Sequence, residues 1–157
     1  MQLDGKTKCS VCRAIHGTLP KRYVFVHEFD SALAVLAPSQ YYRGRCELWL
    51  KVHHTELFQL PGTLREAFCH DAALLGKAMW NVFEPRKLNW EILGNTVPHL
   101  HCHIIPRYTW DPLPKRPIWE NAQFKATERR YCARRIEKLA MAERLRAEIA
   151  MIERRRT

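Results

Sequence analysis

Apolar and polar residues alternate along residues 99–104, with His99, His101 and His103 at the odd positions and Leu100, Cys102 and Ile104 at the even ones. Successive side chains of a strand point to opposite faces, so the pattern predicts a β-strand with three imidazoles on one face and three apolar groups in a core. Pro98 and Pro106 bracket the run and predict where its ladder begins and ends. Earlier β-prone runs at residues 23–26, 32–36 and 46–52, separated by polar and Gly- or Pro-containing stretches, suit neighbouring antiparallel strands. A further strand over 87–93 precedes the histidine strand, with Gly94-Asn95-Thr96 as the turn between them.

The period lengthens over residues 63–83, where Leu64, Phe68, Leu75, Met79 and Val82 recur at three-, four- and seven-residue intervals and predict the main helix. Thr63 with Glu66 three residues on reads as its capping box, and Glu84-Pro85 as its stop. At and beyond the end of that strand, Pro106, Pro112, Pro114 and Pro117 predict an extended segment without ladder bonding, docked by Trp110 and Trp119. Residues 121–156 contain neither Pro nor Gly and are rich in helix formers. Ile136, Leu139, Leu145, Ile149 and Ile152 form a narrow apolar stripe, as on a solvated helix resting against the body or a partner helix. The fold class is therefore α+β: an antiparallel sheet of about five strands, one main helix and a long C-terminal helix.

A chain of 157 residues suits a single folded core. We divide it into a domain over residues 1–119 and a basic helical extension over 120–157. The net charge of +10 is uneven, because residues 121–157 hold eleven Lys or Arg against five Glu. The remainder is moderately basic, which fits handling of anionic phosphates. Nucleic-acid binding through the basic tail is an alternative, less favoured than a solvated helix. No apolar run approaches the roughly 18 residues that span a membrane, and the N-terminus lacks a secretory apolar segment. The expectation is a cytoplasmic protein with no membrane partner, whose six cysteines are thiols or metal ligands. Cys9 and Cys12 form a Cys-x-x-Cys pair: half a zinc site, a redox dithiol, or two structural thiols. Cys69 and His70, inside the main helix, read as packing or surface residues.

Three imidazoles on one strand face fit three readings: a solvated face that is histidine-rich, a metal-binding strip, or chemistry at phosphorus. A neutral imidazole approaches an anionic phosphate without charge repulsion and acts as a covalent nucleophile, splitting one hard displacement into two easier ones. Its other nitrogen must be hydrogen-bonded to fix the tautomer, and a second imidazole moves protons near neutral pH.

His-Leu-His-Cys-His-Ile-Ile resembles the His-x-His-x-His-x-x signature (x apolar) of the histidine triad family of nucleotide hydrolases and transferases. The approach Gly94-Asn95-Thr96-Val97 and the exit Pro106-Arg107 resemble the family's flanks, and the similarity runs over about residues 9–110. Within it lie the Cys-x-x-Cys start, a Gly-x-x-Pro turn, and Lys51-Val52-His53 followed by Leu57, Leu60 and Leu64. The resemblance implies that His101 is the nucleophile, that His103 contacts phosphoryl oxygens, and that His99 and His53 orient the site. It places Asn95, with Thr96 beside it, toward the phosphates, and Asn89 as a lesser candidate. It also implies a structural zinc on Cys9, Cys12, His53 and His99, with His54 as the competitor for the place of His53. One departure stands out: where many members carry an acidic residue for ribose hydroxyls after the second strand, this chain has Ala37-Pro38-Ser39. The implied activity is hydrolysis of a dinucleoside polyphosphate or nucleoside phosphoramidate by a homodimer. Nucleotidyl transfer to another acceptor and non-catalytic nucleotide or nucleic-acid binding are the alternatives.

Overall fold

The alternating segments become the strands of one sheet. In the computed structural model, which describes residues 9–128 and 134–155, these are β1 (Val24–Glu28), β2 (Ala32–Leu36), β3 (Cys46–Leu50), β4 (Lys87–Glu91) and β5 (His101–Arg107). Their order is β1-β2-β3-β5-β4, every neighbouring pair antiparallel, so the histidine strand is flanked on both sides. Among the described residues four helices accompany them: α1 (Ser10–His16), α2 (Gly62–Phe83), α3 (Ala122–Glu128) and α4 (Arg135–Arg154). None of the described helices is long and apolar enough to cross a membrane.

One face of the sheet buries Cys46, Leu48, Leu50, Cys102 and Ile104, with Leu100 from just ahead of β5, against Phe68, Leu75 and Met79 of α2. Full burial of each large apolar side chain stabilises the fold by about 1.5–3 kcal/mol. Gly76 lets Trp90 lie across the helix, since a Cβ there would stand 2.2 Å from the indole ring. Asp71 ties α2 to the β1–β2 turn by accepting from the Ser31 backbone N–H (3.1 Å) and hydroxyl (2.5 Å).

The main helix starts at Gly62 with Pro61 as N-cap and no side-chain cap, so the expected Thr63–Glu66 box does not form. The capping box sits one turn earlier, between Glu56 and Gln59 on a 3₁₀ turn over Leu57–Gln59. The stop is as expected: Glu84 adopts φ 49°, donates its N–H to the Trp80 carbonyl, and Pro85 cannot continue the helix. Pro106 lies inside β5 instead of ending it. β3 pairing reaches only Ile104, so beyond that point one flank of β5 is free and a residue without an N–H is tolerated. β4 ends at Glu91, so Gly94-Asn95-Thr96 belongs to a long connection over residues 92–100 and not to a tight turn.

The proline-rich segment winds around one guanidinium instead of extending. Arg107, at the end of β5, donates to Asp111 Oδ2 (2.5 Å), Asn89 Oδ1 (2.7 Å), and the carbonyls of Leu113 (2.6 Å) and Arg116 (2.9 Å). The chain then makes a 3₁₀ turn over Ile118–Glu120, from which Trp119 donates to Glu91 Oε2 (2.5 Å). Trp110 stacks on Tyr108 and Tyr42, so both tryptophans dock as expected.

α4 packs across β1 and α2, and its Met141, Ala142, Leu145 and Ile149 enter the same core. Ile136 and Leu139 of the expected stripe face outward, 71 % and 40 % exposed, because Met141 and Ala142 centre the buried face one step further round. Its cations are engaged. Lys138 and Arg135 donate to the carbonyls of Arg22 and Lys21 in the turn ahead of β1, Arg146 to that of Phe25 within β1, and Arg144 to Val82 in the last turn of α2. They cover an open sheet edge and a helix C-terminus, both rich in unpaired carbonyls. The other edge, β4, has no such cover among the described residues, and Trp90, Ile92 and Leu93 are exposed along and just beyond it. Residues 129–133 of the expected long helix, and the first eight residues, lie outside the described ones.

Candidate functional site

On the face opposite the α2 core, β3 and β5 line up two rows of side chains through their register: Glu47 opposite His103, and Trp49 opposite His101. They floor a cavity of about 440 Å³ closed by α1, by residues 93–97 and by Trp119. Tyr23, Trp49, Trp119, Leu93 and Val97 give it aromatic and apolar walls, while Arg22, Arg45, Glu47, Asn95 and Thr96 supply polar groups.

His101 and His103 project into this cavity, but His99 does not. It precedes the ladder, where the chain bends as the His99 N–H donates to the Val97 carbonyl. Its fully buried ring turns away to Cys9, Cys12 and His53, and the three imidazoles expected on one surface divide into two plus one.

The thiols of Cys9 and Cys12 and the rings of His53 and His99 bring four ligand atoms within 4.8 Å of one another. Cys9 Sγ and Cys12 Sγ each lie 3.5 Å from His99 Nδ1, Cys12 Sγ is 3.3 Å from His53 Nδ1, and the two Nδ1 atoms are 3.3 Å apart. A tetrahedron with metal–sulfur bonds near 2.3 Å and metal–nitrogen bonds near 2.0–2.1 Å has edges of about 3.3–3.8 Å, so this set fits a zinc-sized ion. His99 is prepared for it: a carbonyl only accepts, so Nε2–H donates to Leu50 O (2.8 Å) and Nδ1 keeps its lone pair. Burial pulls the His99 pKa down to about 4, which keeps the ring neutral as a ligand must be. His54 stays outside the cluster and contributes its carbonyl to the Leu100 N–H.

The same rule sets His101. Its Nδ1 lies 2.6 Å from the His99 carbonyl and must carry the hydrogen, so its Nε2 presents a lone pair. His103 Nε2 stands 3.2 Å from that atom. Burial, then the neighbouring His101 and Arg45, push the His103 pKa down to about 3. Its Nδ1 is buried without a hydrogen-bond partner and faces Glu47 Oε1 at 3.7 Å. Trp49 Nε1–H donates to the other carboxylate oxygen of Glu47 (2.9 Å), and Arg45 lies 4.0 Å from Oε1 with its guanidinium over the Trp119 ring.

Asn95 and Thr96 line the cavity, as expected. Asn89 does not: its amide oxygen is committed to Arg107. His53 belongs to the metal-ligand cluster and not to the cavity wall, and the contact of His99 with His101 runs through its backbone carbonyl. Glu47, Arg45, Trp49 and Tyr23 were not foreseen as site residues. The available signal was the pairing of Glu47 and Trp49 on one face of Cys-Glu-Leu-Trp-Leu, opposite Cys46, Leu48 and Leu50.

Comparison with known proteins agrees with this geometry. The HIT domain model matches residues 20–110. Protein hit of Bacillus subtilis is 32% identical over 105 residues, which cover 64% of this chain and 71% of that protein. An adenylylsulfatase of Arabidopsis thaliana is 27% identical over 122 residues, covering 70% of this chain and 61% of that protein. Among solved structures, a Zn-bound histidine triad family protein of Mycobacterium smegmatis superposes with a TM-score of 0.67 at 20% identity, covering 95% and 98% of the two chains. With the signature on the central strand and the domain match spanning more than half its length, the chain belongs to the histidine triad family.

Proposed function

We propose that this protein hydrolyses a nucleoside-phosphate bond, in a dinucleoside polyphosphate or nucleoside phosphoramidate, through a nucleotidyl-His101 intermediate. One observation carries the reading: the His99 carbonyl takes the Nδ1 hydrogen of His101 and leaves its Nε2 lone pair facing a cavity shared with a second imidazole. His101 Nε2 attacks phosphorus, and the leaving group departs with the bonding electrons and takes a proton from solvent. Water then attacks the intermediate, and the P–N electrons return to His101. Arg22, Arg45, Asn95 and Thr96 supply charge and donors for phosphate oxygens, and the aromatic walls a surface for a base. The relative in Arabidopsis thaliana, named for an adenylylsulfatase activity, supports chemistry at an adenylyl group.

Cys9, Cys12, His53 and His99 would hold a zinc ion whose contribution is structural, a redox-inert cross-link between α1 and the sheet. The zinc in the Mycobacterium smegmatis structure supports this. A homodimer is supported by the uncovered β4 edge and its exposed Trp90, Ile92 and Leu93.

Incubation with a panel of adenylated and guanylated compounds, with products resolved by mass, tests the activity. The expected result is release of nucleoside monophosphate and, after acid quenching, an added nucleotidyl mass on the peptide containing His101. Product formed only with a phosphate acceptor assigns a transferase instead, and binding without turnover assigns a binder.

A further inference from the structure

We propose that Glu47 is a positioning residue that selects the tautomer of His103: by accepting the Nδ1 hydrogen, it keeps the Nε2 of both cavity histidines free. The proposal rests on the preceding reading of His101 as nucleophile for its kinetic consequence, and on geometry alone for the tautomer.

Because the His99 carbonyl fixes the hydrogen of His101 on Nδ1, His101 Nε2 has none to give. A neutral His103 has one hydrogen to place. On Nε2 it would donate across 3.2 Å to His101 Nε2 and occupy the lone pair meant for phosphorus. On Nδ1 it faces Glu47 Oε1, and the nucleophile stays open. Left alone the ring would choose the first arrangement, since that hydrogen bond is already at bonding distance. A carboxylate on the Nδ1 side reverses the choice, and Glu47 is the acidic group directly across the β3–β5 ladder from His103.

The carboxylate is itself held in place. Trp49 Nε1–H engages Oε2, which leaves Oε1 aimed at the ring, flanked by Arg45 and with Tyr23 on the same wall. On the far side of His103, Glu91 is paired to it by register, but its Oε2 is engaged by Trp119. The Nδ1–Oε1 gap of 3.7 Å exceeds the usual N–H···O limit of about 3.2 Å, so in the free protein the carboxylate draws the hydrogen to Nδ1 by its charge across the gap. His103 Nδ1 has no other hydrogen-bond partner among the described residues, so a hydrogen there has this one acceptor to turn to.

The consequence falls on the second half-reaction. With Nε2 unprotonated, His103 takes a proton from the attacking water. The water oxygen bonds to phosphorus, the P–N bond breaks with its electrons returning to His101, and His103 then releases its proton to solvent.

Long-range ¹H–¹⁵N correlation on the histidine-labelled full chain, without substrate and near neutral pH, reads which ring nitrogen carries hydrogen. His103 is assigned by loss of its signals in His103→Gln. Wild type is expected to show the Nδ1–H pattern and Glu47→Leu the Nε2–H pattern; Glu47→Gln should also show the Nε2–H pattern, since Trp49 Nε1–H holds its single amide oxygen and its NH2 then faces His103 Nδ1. In kinetics Glu47→Leu and Glu47→Gln should both lower kcat about 10²–10⁴-fold with KM within about twofold. An Nε2–H pattern in wild type, or a pattern indifferent to Glu47→Leu, overturns the proposal. If Glu47→Leu does not fold, the wild-type pattern alone decides. A wild type that turns over none of the nucleotides defeats the hydrolase reading but leaves the tautomer result to stand or fall separately.

Discussion

Two pairs of histidines sit side by side in this molecule and present opposite nitrogens. His53 and His99 bring their Nδ1 atoms to 3.3 Å between two thiols. His101 and His103 bring their Nε2 atoms to 3.2 Å above a cavity. The difference comes from where a carbonyl lies. Leu50 O takes the Nε2 hydrogen of His99 and leaves its Nδ1 lone pair toward the thiols, while His99 O takes the Nδ1 hydrogen of His101 and leaves its Nε2 lone pair toward the cavity. Identity of the side chain decides nothing here; the acceptor behind it does. His99 belongs to both pairs, by its ring to one and by its carbonyl to the other.

The largest effect expected from breaking this arrangement is at His101. Its replacement by alanine should lower turnover by at least about 10⁴-fold while nucleotide affinity, measured by calorimetry, stays within a few fold. Equal loss of affinity and turnover would mean that the ring binds and does not react. Next comes Cys12→Ser, which removes a thiol from the first pair and leaves the His99 carbonyl where it is. Zinc per chain, measured on protein purified without a histidine tag, should fall from about one to near zero, and stability should drop by more than about 4 kcal/mol in chemical denaturation. Unchanged metal content and stability would remove the metal centre.

A third test is pH. His99 and His103 stay neutral in the fold down to about 4 and about 3, whereas unfolded histidines protonate near 6.5. Below about 6.5 the unfolded chain therefore binds more protons than the folded one. Stability present above that value is lost as pH falls, by at most about 1.4 kcal/mol per unit per ring, until the folded rings themselves protonate. Thermal melting between neutral pH and pH 4 reads the slope, and a flat profile would show that the rings are not buried neutral. The smallest effect is outside both pairs. Asn89→Ala deprives Arg107 of one acceptor and should cost about 1–3 kcal/mol in stability, with kcat within about twofold. A large loss of kcat would return Asn89 to the substrate.

Residues governed by local pattern were legible. The run over 32–36 is β2 to the residue, the alternation of Leu100, Cys102 and Ile104 finds the core, and Glu84-Pro85 ends α2 where expected. The fourfold ligand set came from family resemblance, since the Cys-x-x-Cys pair by itself left a redox role open. What escaped depends on contacts between distant parts of the chain. Alternation assigns a face but does not register that the backbone bends before His101, which removes His99 from the cavity. Thr63 and Glu66 have the right spacing for a cap, yet Glu56 and Gln59 have it too, and the position of Pro61 decides between them. Asn89 reads as a lesser candidate for the phosphates, but Arg107 folds back against it and takes its amide oxygen. Ile136 and Leu139 follow helical spacing, but which side of α4 is buried depends on the angle at which it crosses β1.

The cations of α4 cover the β1 side of the sheet, Arg146 at the Phe25 carbonyl and Lys138 and Arg135 at carbonyls of the turn leading into the strand, while β4 carries no such cover among the described residues. Growth of the sheet by strand addition therefore has a single direction. In the proposed homodimer a second copy joined there would present its own α4-covered border to the outside, so the ladder would close at a two-fold axis with no free end from which a fibre could lengthen.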